Sequence, residues 1–437
     1  MSKKLFKSLM ILGSTTAMVA CSGKSTGLNA TKLLRDPNEG HHYSSISFRN
    51  EDYMAFRNKL TAFSNKISEA FVNREFEDGK NITVSPLSIA MCLGLAIRCA
   101  DNNTRQEMLN AFDMDFETFD KFYKVFYNDT VFTSKDSEIS LTNSIWIDDD
   151  IALIDEGLDA LRDDYYCYSF EADFDGANKQ TNQAMKKFIN EKTKGMLNPD
   201  LGIDPSTLFV LMNTLYLRDV WNDEGDDLSY ADASFKFTNS NNQVSKKRLL
   251  QGYYYDGRTL YAEDYTSFFT NTYEGMRLQF IKPNDGKDIR DIFTKENLSY
   301  VMDVNNYTYK DDEKLERYHT RCIFPEYTAE TDLDLKEIFI EDLDIRSIFA
   351  SKTCDFSNIV DDEVYVSDVR HIAKLEVDKK GIKGAAVTYM AVSATSYHGP
   401  EEYVDIYEDF LVDKEFGFIL SKDNNVLFSG VVTNIDK

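Results

Sequence analysis

Residues Gly384 to Tyr397 read Gly-Ala-Ala-Val-Thr-Tyr-Met-Ala-Val-Ser-Ala-Thr-Ser-Tyr, a stretch with no charge and no proline. It constrains the fold more than any other part of the chain, because its composition and its setting disagree. Small, β-branched and aromatic residues suit a pleated strand. The flanks are those of a loop: Asp378-Lys379-Lys380-Gly381-Ile382-Lys383 ahead, His398-Gly399-Pro400-Glu401-Glu402 behind. Left permanently exposed, a neutral, β-prone, proline-free segment templates aggregation. A chain that keeps one in a loop is expected to use it as a loop in one state and as an inserted strand in another.

The rest of the chain is large enough to supply the sheet. It has 437 residues, 42% hydrophobic and 28% charged, and no Pro/Gly/Ser linker divides its interior, so one large domain is expected over residues 50–437. A net charge of -25 argues against nucleic acid and anionic lipid as partners. The basic clusters Lys186-Lys187 and Lys246-Lys247-Arg248 read as solvated faces.

The first twenty residues read as a signal peptide: Lys3, Lys4 and Lys7, then an apolar run from Leu9 to Ala20 that is too short to span a bilayer. Met18-Val19-Ala20-Cys21 resembles a bacterial lipoprotein cleavage site, with lipid on the Cys21 thiol. Residues 21–49 are polar and are expected to be a flexible tether. The expected location is the outer membrane, on its periplasmic face or at the cell surface, with the lipid as the sole membrane contact.

Chemical motifs are scarce. Five cysteines remain beyond Cys21, an odd number in a chain too long to need stapling, and Cys92 and Cys99 fall on one apolar helical pattern that faces the core. No metal-ligand spacing, phosphate loop, dinucleotide fingerprint or nucleophile elbow occurs, so no cofactor and no catalytic residues are expected. Ser367, Asp368 and His371 are close in sequence, but a triad is made in space, and a polar strand end explains them.

Periodicity predicts helices over Glu51 to Asn73, Leu87 to Cys99, Asp155 to Tyr166 and Asn178 to Thr193, with Ser85 capping the second and Pro86 opening it. It predicts strands over Asn81–Pro86, Ile139–Ile147, Leu208–Leu217, around Phe235, and over Leu249–Tyr255, Met276–Ile281 and Tyr318–Phe324. A helical piece over Leu333–Phe349 is expected, then strands Ile372–Val377, Phe416–Leu420 and Val426–Val432. Helices first and strands later imply an α+β fold with a large, mostly antiparallel sheet.

An ordered set of segments resembles the serpin family across nearly all of the mature chain. Asn81-Ile82-Thr83-Val84-Ser85-Pro86-Leu87-Ser88-Ile89 is similar to its N-V-x-x-S-P-x-S-I. Asn143-Ser144-Ile145-Trp146 fits N-x-[IL]-[FW], and Leu211 to Trp221 is close to L-V-N-A-I-Y-F-K-G-x-W. Phe280-Ile281-Lys282-Pro283, Asp355-Phe356-Ser357, Val366-Ser367-Asp368-Val369, His371-Ile372-Ala373 and Phe410 to Phe416 follow in the family's order. Phe188 stands where the family has Trp, and Ile435 where it has Pro.

The resemblance implies a serpin fold: helices on a large main sheet, smaller sheets, and an exposed reactive-centre loop at about 379–402. It implies suicide inhibition of serine or cysteine endopeptidases: the loop is attacked, an acyl-enzyme forms, and the cut loop inserts as a strand that traps the protease. The alternative is a non-inhibitory serpin-fold binding or scaffold lipoprotein. The hinge would be Gly381, Ile382, Lys383, Gly384, Ala385, Ala386, Val387 and Thr388. Strand alternation puts Ile382, Gly384, Ala386 and Thr388 on the face to be buried and Lys383 on the solvated face. Lys379 replaces the family's hinge Glu, and the bulky Ile382 follows the hinge glycine. Ser85, Ser88, Asn213 and His371 match the polar cluster beneath the sheet, and Trp221 matches the anchor at its top. Counting from Gly381 puts the scissile bond at Thr395-Ser396, with Tyr397 or Tyr389 if the long following segment shifts the register. With no Lys or Arg from Gly384 to Pro400, elastase-like or subtilisin-like targets are favoured over trypsin-like ones, whose buried carboxylate needs a cation; papain-like enzymes are runners-up. The protein is expected to act as a monomer.

Overall fold

The computed structural model describes residues 30–37, 49–221, 228–254, 258–307, 316–367, 369–384 and 404–436. The helices arise where the patterns place them. Glu51–Glu75 (α1) is capped by the Asn50 side chain, which accepts from Tyr53 N. Pro86–Cys99 (α2) is capped by Ser85, whose hydroxyl accepts from Ser88 N, and Pro86 sits in its first turn where its missing N–H is not needed. Asp155–Tyr165 (α3) and Asn178–Lys192 (α4) follow. Among the described residues, no helix is long and apolar enough to cross a membrane.

The main sheet is built from Thr31–Arg35 (β1), Glu138–Asp148 (β2), Cys167–Ala172 (β3), Phe209–Val220 (β4), Tyr327–Asp334 (β5), Arg370–Asp378 (β6) and Gly381–Gly384 (β7). Their spatial order is β1-β3-β2-β4-β7-β6-β5, with Phe132–Thr133 appended to β2. Only β2 and β3 run parallel. A six-stranded antiparallel sheet, centred on Arg277–Pro283, Phe416–Lys422 and Asn425–Val432, packs behind. A four-stranded sheet carries Val404–Leu411 (β8) at its edge, parallel to Glu316–Phe324.

Sheet alternation divides the core. Ile145 and Ile147 of β2 join the main apolar cluster with α1 and α2. Trp146 points the other way and packs with Met185 of α4, stacked on Phe170 at 4.0 Å and edge-on to Phe188 at 5.6 Å. The helix α4 therefore covers the face opposite α1 and α2, and Phe188 supplies its aromatic contact.

Three expectations are corrected. The segment 21–49 is not wholly a tether, because Thr31–Arg35 is an ordered edge strand paired with β3. Phe235 lies in a turn closed by its N–H on Asp232 O, not in a strand. The region Leu333–Phe349 is not one helix. Leu333 lies within β5, and only short helical pieces form, around Ile338–Asp342 and at Ser347–Phe349, since the residues of 327–334 are held by the β6 ladder.

Candidate functional site: a split in the main sheet

Two strands of the main sheet part company along most of their length. The short strand β7 lies between β4 and β6 and pairs with both: Ile382 faces Asp219 on one side and Val377 on the other, and Lys383 faces Arg218 and Glu376. Beyond Gly384, no described strand joins β4 to β6. Residues Phe209–Tyr216 and Arg370–Leu375 therefore present backbone edges to each other across a slot, which contains a cavity of about 190 Å³. Its lining includes Leu211, Asn213 and Leu215 of β4, His371 and Ala373 of β6, and Ile189 of α4. Leu211 and Leu215 are only half-buried, as expected of core-facing side chains with no neighbour on one flank.

Local chemistry explains how β7 sits where it does. After β6 the chain reverses through Lys379-Lys380, with the Asp378 carboxylate accepting from Lys380 N at 2.7 Å and Gly381 N at 3.1 Å. A Cβ on Gly381 would lie 1.9 Å from Asp219 O, so only glycine allows this approach to β4. Ile382 is fully buried and Lys383 is exposed. Lys379 is a turn residue, its N–H bonded to Glu326 and its ammonium 5.5 Å from the Tyr230 ring. Trp221 closes the top, its indole N–H donating to Asp378 O at 2.8 Å and its ring edge-on to Phe324. It thus ties the end of β4 to the end of β6 above the entry to the slot.

Beneath the slot, the start of α2 holds both edges. Ser85 N donates to His371 Nε2 on β6 at 3.1 Å, and the Ser88 hydroxyl donates to Asn213 Oδ1 on β4 at 2.7 Å. Burial lowers the His371 pKa to about 4, which keeps the ring neutral and able to accept. The structure thus brings Ser85, Ser88, Asn213 and His371 together, and adds residues that the sequence reading missed. Asn213 Nδ2 donates to Asn143 Oδ1 at 2.9 Å, and Asn143 Nδ2 donates to the Tyr123 hydroxyl and to Tyr165 O. Every link is buried or half-buried and satisfied, as low-dielectric polar chains require. An Asn within an apolar strand was the available signal. Of the sequence neighbours Ser367, Asp368 and His371, the His371 ring is taken up by Ser85 N and the Ser367 carbonyl accepts from Lys336, while Asp368 lies outside the described residues. All five described cysteines are free; Cys99 is buried, whereas Cys92 is half-buried and lines the slot.

A second missed residue is Asp219, 2% exposed, standing where the serpin motif has glycine. Its carboxylate accepts from Ser137 Oγ at 2.9 Å, Val220 N at 2.7 Å and Glu274 N at 3.4 Å. Burial outweighs these bonds and raises its pKa from 3.8 to about 6. A raised carboxyl pKa means the folded protein holds the proton more tightly than the unfolded chain. The contribution is full at pH 4 and below and is lost as pH rises through 6, about 3 kcal/mol for some two pKa units. His371 runs the other way, losing its contribution as pH falls from 6.5 to 4. The melting temperature of Asp219→Asn is therefore expected to gain on that of the wild type by ~6 °C between pH 4 and pH 7. A gap that stays constant over this range would show that Asp219 does not titrate there.

Ala385, Ala386, Val387, Thr388, Thr395 and Ser396 lie outside the described residues, as does Cys21.

With this geometry in hand, comparison with known proteins is specific. A family model described as "Serpin (serine protease inhibitor)" matches residues 58–435. Serpin A3-8 of Bos taurus is 26% identical over 415 residues, covering 91% of this chain and 92% of that protein. A serpin-like protein of Methanosarcina acetivorans is 23% identical over 370 residues, 81% of each. Among solved structures, the thermophilic serpin tengpin in its native state aligns with a TM-score of 0.69 at 19% identity, over 93% of this chain and all of that one. Cleaved Serpin 42Da aligns with a TM-score of 0.67 at 17% identity, over 88% and 100%. At these identities the structural likenesses establish the fold.

Proposed function

The chain belongs to the serpin family, and from that premise we propose that it is a one-shot inhibitor of serine or cysteine endopeptidases. The observation that supports this reading is β7, a strand of four residues seated between β4 and β6 above a slot that no described strand fills. Continued downward in the same register, the chain would set Ala386 between Leu215 and Ala373, and Thr388 between Asn213 and His371. Small residues would then meet the apolar floor, and a hydroxyl would meet the polar cluster. A protease that cuts the loop and remains esterified to its new end would be carried along as the slot fills. The stored difference between open and filled sheet is what drives the trap.

The target class follows from the bait. With Thr395-Ser396 as the scissile bond, a small β-branched residue offers itself to a shallow apolar pocket, as in elastase-like or subtilisin-like enzymes. The protein acts as a monomer at the bacterial surface or the periplasmic face of the outer membrane, held by lipid on Cys21.

The test is incubation of the mature protein with a panel of elastase-like, subtilisin-like, papain-like and trypsin-like proteases. An SDS-resistant adduct with the first group, releasing a C-terminal peptide that begins at Ser396, is the expected result. Peptides beginning at Met390 or His398 would move the bond to Tyr389 or Tyr397 and the target to an aromatic-specific enzyme. Cleavage by every member without any adduct would leave the binding or scaffold alternative.

A further inference from the structure

The N-terminal strand β1 enters the sheet with a definite polarity. Thr31 pairs with Ala172, and Arg35 with Ser169. Ala172 is level with Asp148 on β2, and the adjacent Ile147 is level with Phe209 on β4. The hinge is at the other end, with Gly381 opposite Val220. The chain therefore arrives at the pole of the sheet remote from the loop. The two poles are about 36 Å apart, the length of β4 at roughly 3.3 Å per residue.

The fastening begins one residue earlier. Ala30 O accepts from Asp173 N at 2.9 Å and from the Thr181 hydroxyl of α4 at 3.2 Å. Lys32 pairs with Glu171, while the Arg35 guanidinium donates to Asp155 at 2.5 Å and Asp159 at 2.8 Å on α3. Leu34 packs against the main core. Exposed ion pairs of this kind contribute little singly, so the strand is held by its ladder and these ties together.

We propose that β1 is an orienting clip that faces the loop-bearing pole away from the membrane. The inference rests on the lipid anchor at Cys21 and on the inhibitory reading above. Cys21 and Ala30 are nine positions apart, a leash of at most about 30 Å when fully extended. Without β1 the first described helix cap is Asn50 of α1, and a fully extended leash to it would reach about 100 Å. A leash of about 100 Å is nearly three times the distance between the poles and lets the body turn over. A 30 Å leash fixed to one pole does not. The clip thus keeps the bait on the solvent side, where a soluble protease meets it first.

The experiment uses the full lipidated chain reconstituted in phosphatidylcholine vesicles that carry an acceptor fluorophore on the headgroup. A donor is placed in turn at Asp204, an exposed turn residue at the anchored pole, and at Lys380, exposed at the hinge. Energy transfer from position 204 is expected to exceed that from 380 several-fold, and Leu33→Pro, which breaks β1, is expected to bring the two together. Equal transfer from both positions in the otherwise unaltered chain overturns the proposal. Hydrogen exchange of the soluble Cys21→Ser chain reads the clip separately. Thr31–Arg35 amides are expected to exchange at least about tenfold more slowly than the same amides in the Leu33→Pro variant. Equal rates remove the clip even if the anchor stands. If the unaltered chain and the Cys21→Ser chain both wash off the vesicles, the anchor reading fails and the membrane orientation falls with it, whatever the exchange data say.

Discussion

Ala386→Arg is expected to turn the inhibitor into a substrate. In the register set by Ile382 against Asp219 and Val377, position 386 falls between Leu215 and Ala373, on the same inward face as the fully buried Ile382. An arginine there would be carried under the sheet towards α2, where no carboxylate is among the described residues that line the slot, a burial that costs several kcal/mol. Acylation takes place at the far end of the loop and is untouched. Insertion slows while deacylation proceeds at its own rate, so the protease escapes. The number of inhibitor molecules consumed per protease inactivated should rise by roughly tenfold or more, since each 1.4 kcal/mol on a competing step is a factor of ten. Gel densitometry of adduct against cleaved product measures it. An unchanged yield of adduct would mean that the register, or the mechanism, is wrong.

The second large effect is thermal. Cutting the loop with a protease that is then washed away should raise the melting temperature by roughly 20 °C. Eight further residues of β4, Phe209–Tyr216, have no described strand on the slot side, and Ile372–Leu375 on the facing edge of β6 have no described strand there either. Filling that gap satisfies a row of backbone donors and acceptors at about 1 kcal/mol each, on the order of 10 kcal/mol in total. A domain of this size shifts by about 2 °C per kcal/mol. Differential scanning calorimetry before and after cleavage decides the matter. A rise of only a few degrees would point to a fold that stores nothing, and so to the binding or scaffold role.

Much of this architecture was legible in the sequence, for identifiable reasons. The helix α1 announces itself through its period, α2 through its period, Ser85 and Pro86, and β4 through an apolar run interrupted only at Asn213-Thr214. The insertable segment was visible because its composition contradicts its flanks. What escaped detection owes its order to partners distant in sequence. The strand β1, Thr-Lys-Leu-Leu-Arg, is five residues in a polar stretch, and nothing local orders it; β3, α3 and α4 do. The strand β5 carries Glu330, Asp332 and Asp334 on alternate positions, so its helical-looking end at Leu333 misled until the β6 ladder was known. Asn143 acquires meaning only when it proves to be level with Asn213. Asp219 looked like one more acidic residue in an acidic chain. Its burial depends on Ser137, Thr272 and Glu274, none of which is its neighbour in sequence.

The four residues of β7 change the kinetic problem that the rest of the loop faces. Adding a strand between two others is a zipper: the first contacts fix several dihedrals for few bonds, and each later residue adds bonds for one residue fixed, by the same logic that makes a helix slow to nucleate and fast to grow. Here the nucleus already exists. Gly381 to Lys383 are paired on both flanks, and Gly384 on the β4 side, before any bond is cut, so cleavage leaves only propagation. Propagation proceeds one rung at a time past His371 and Asn213, and the race against deacylation starts from the fourth rung of the ladder.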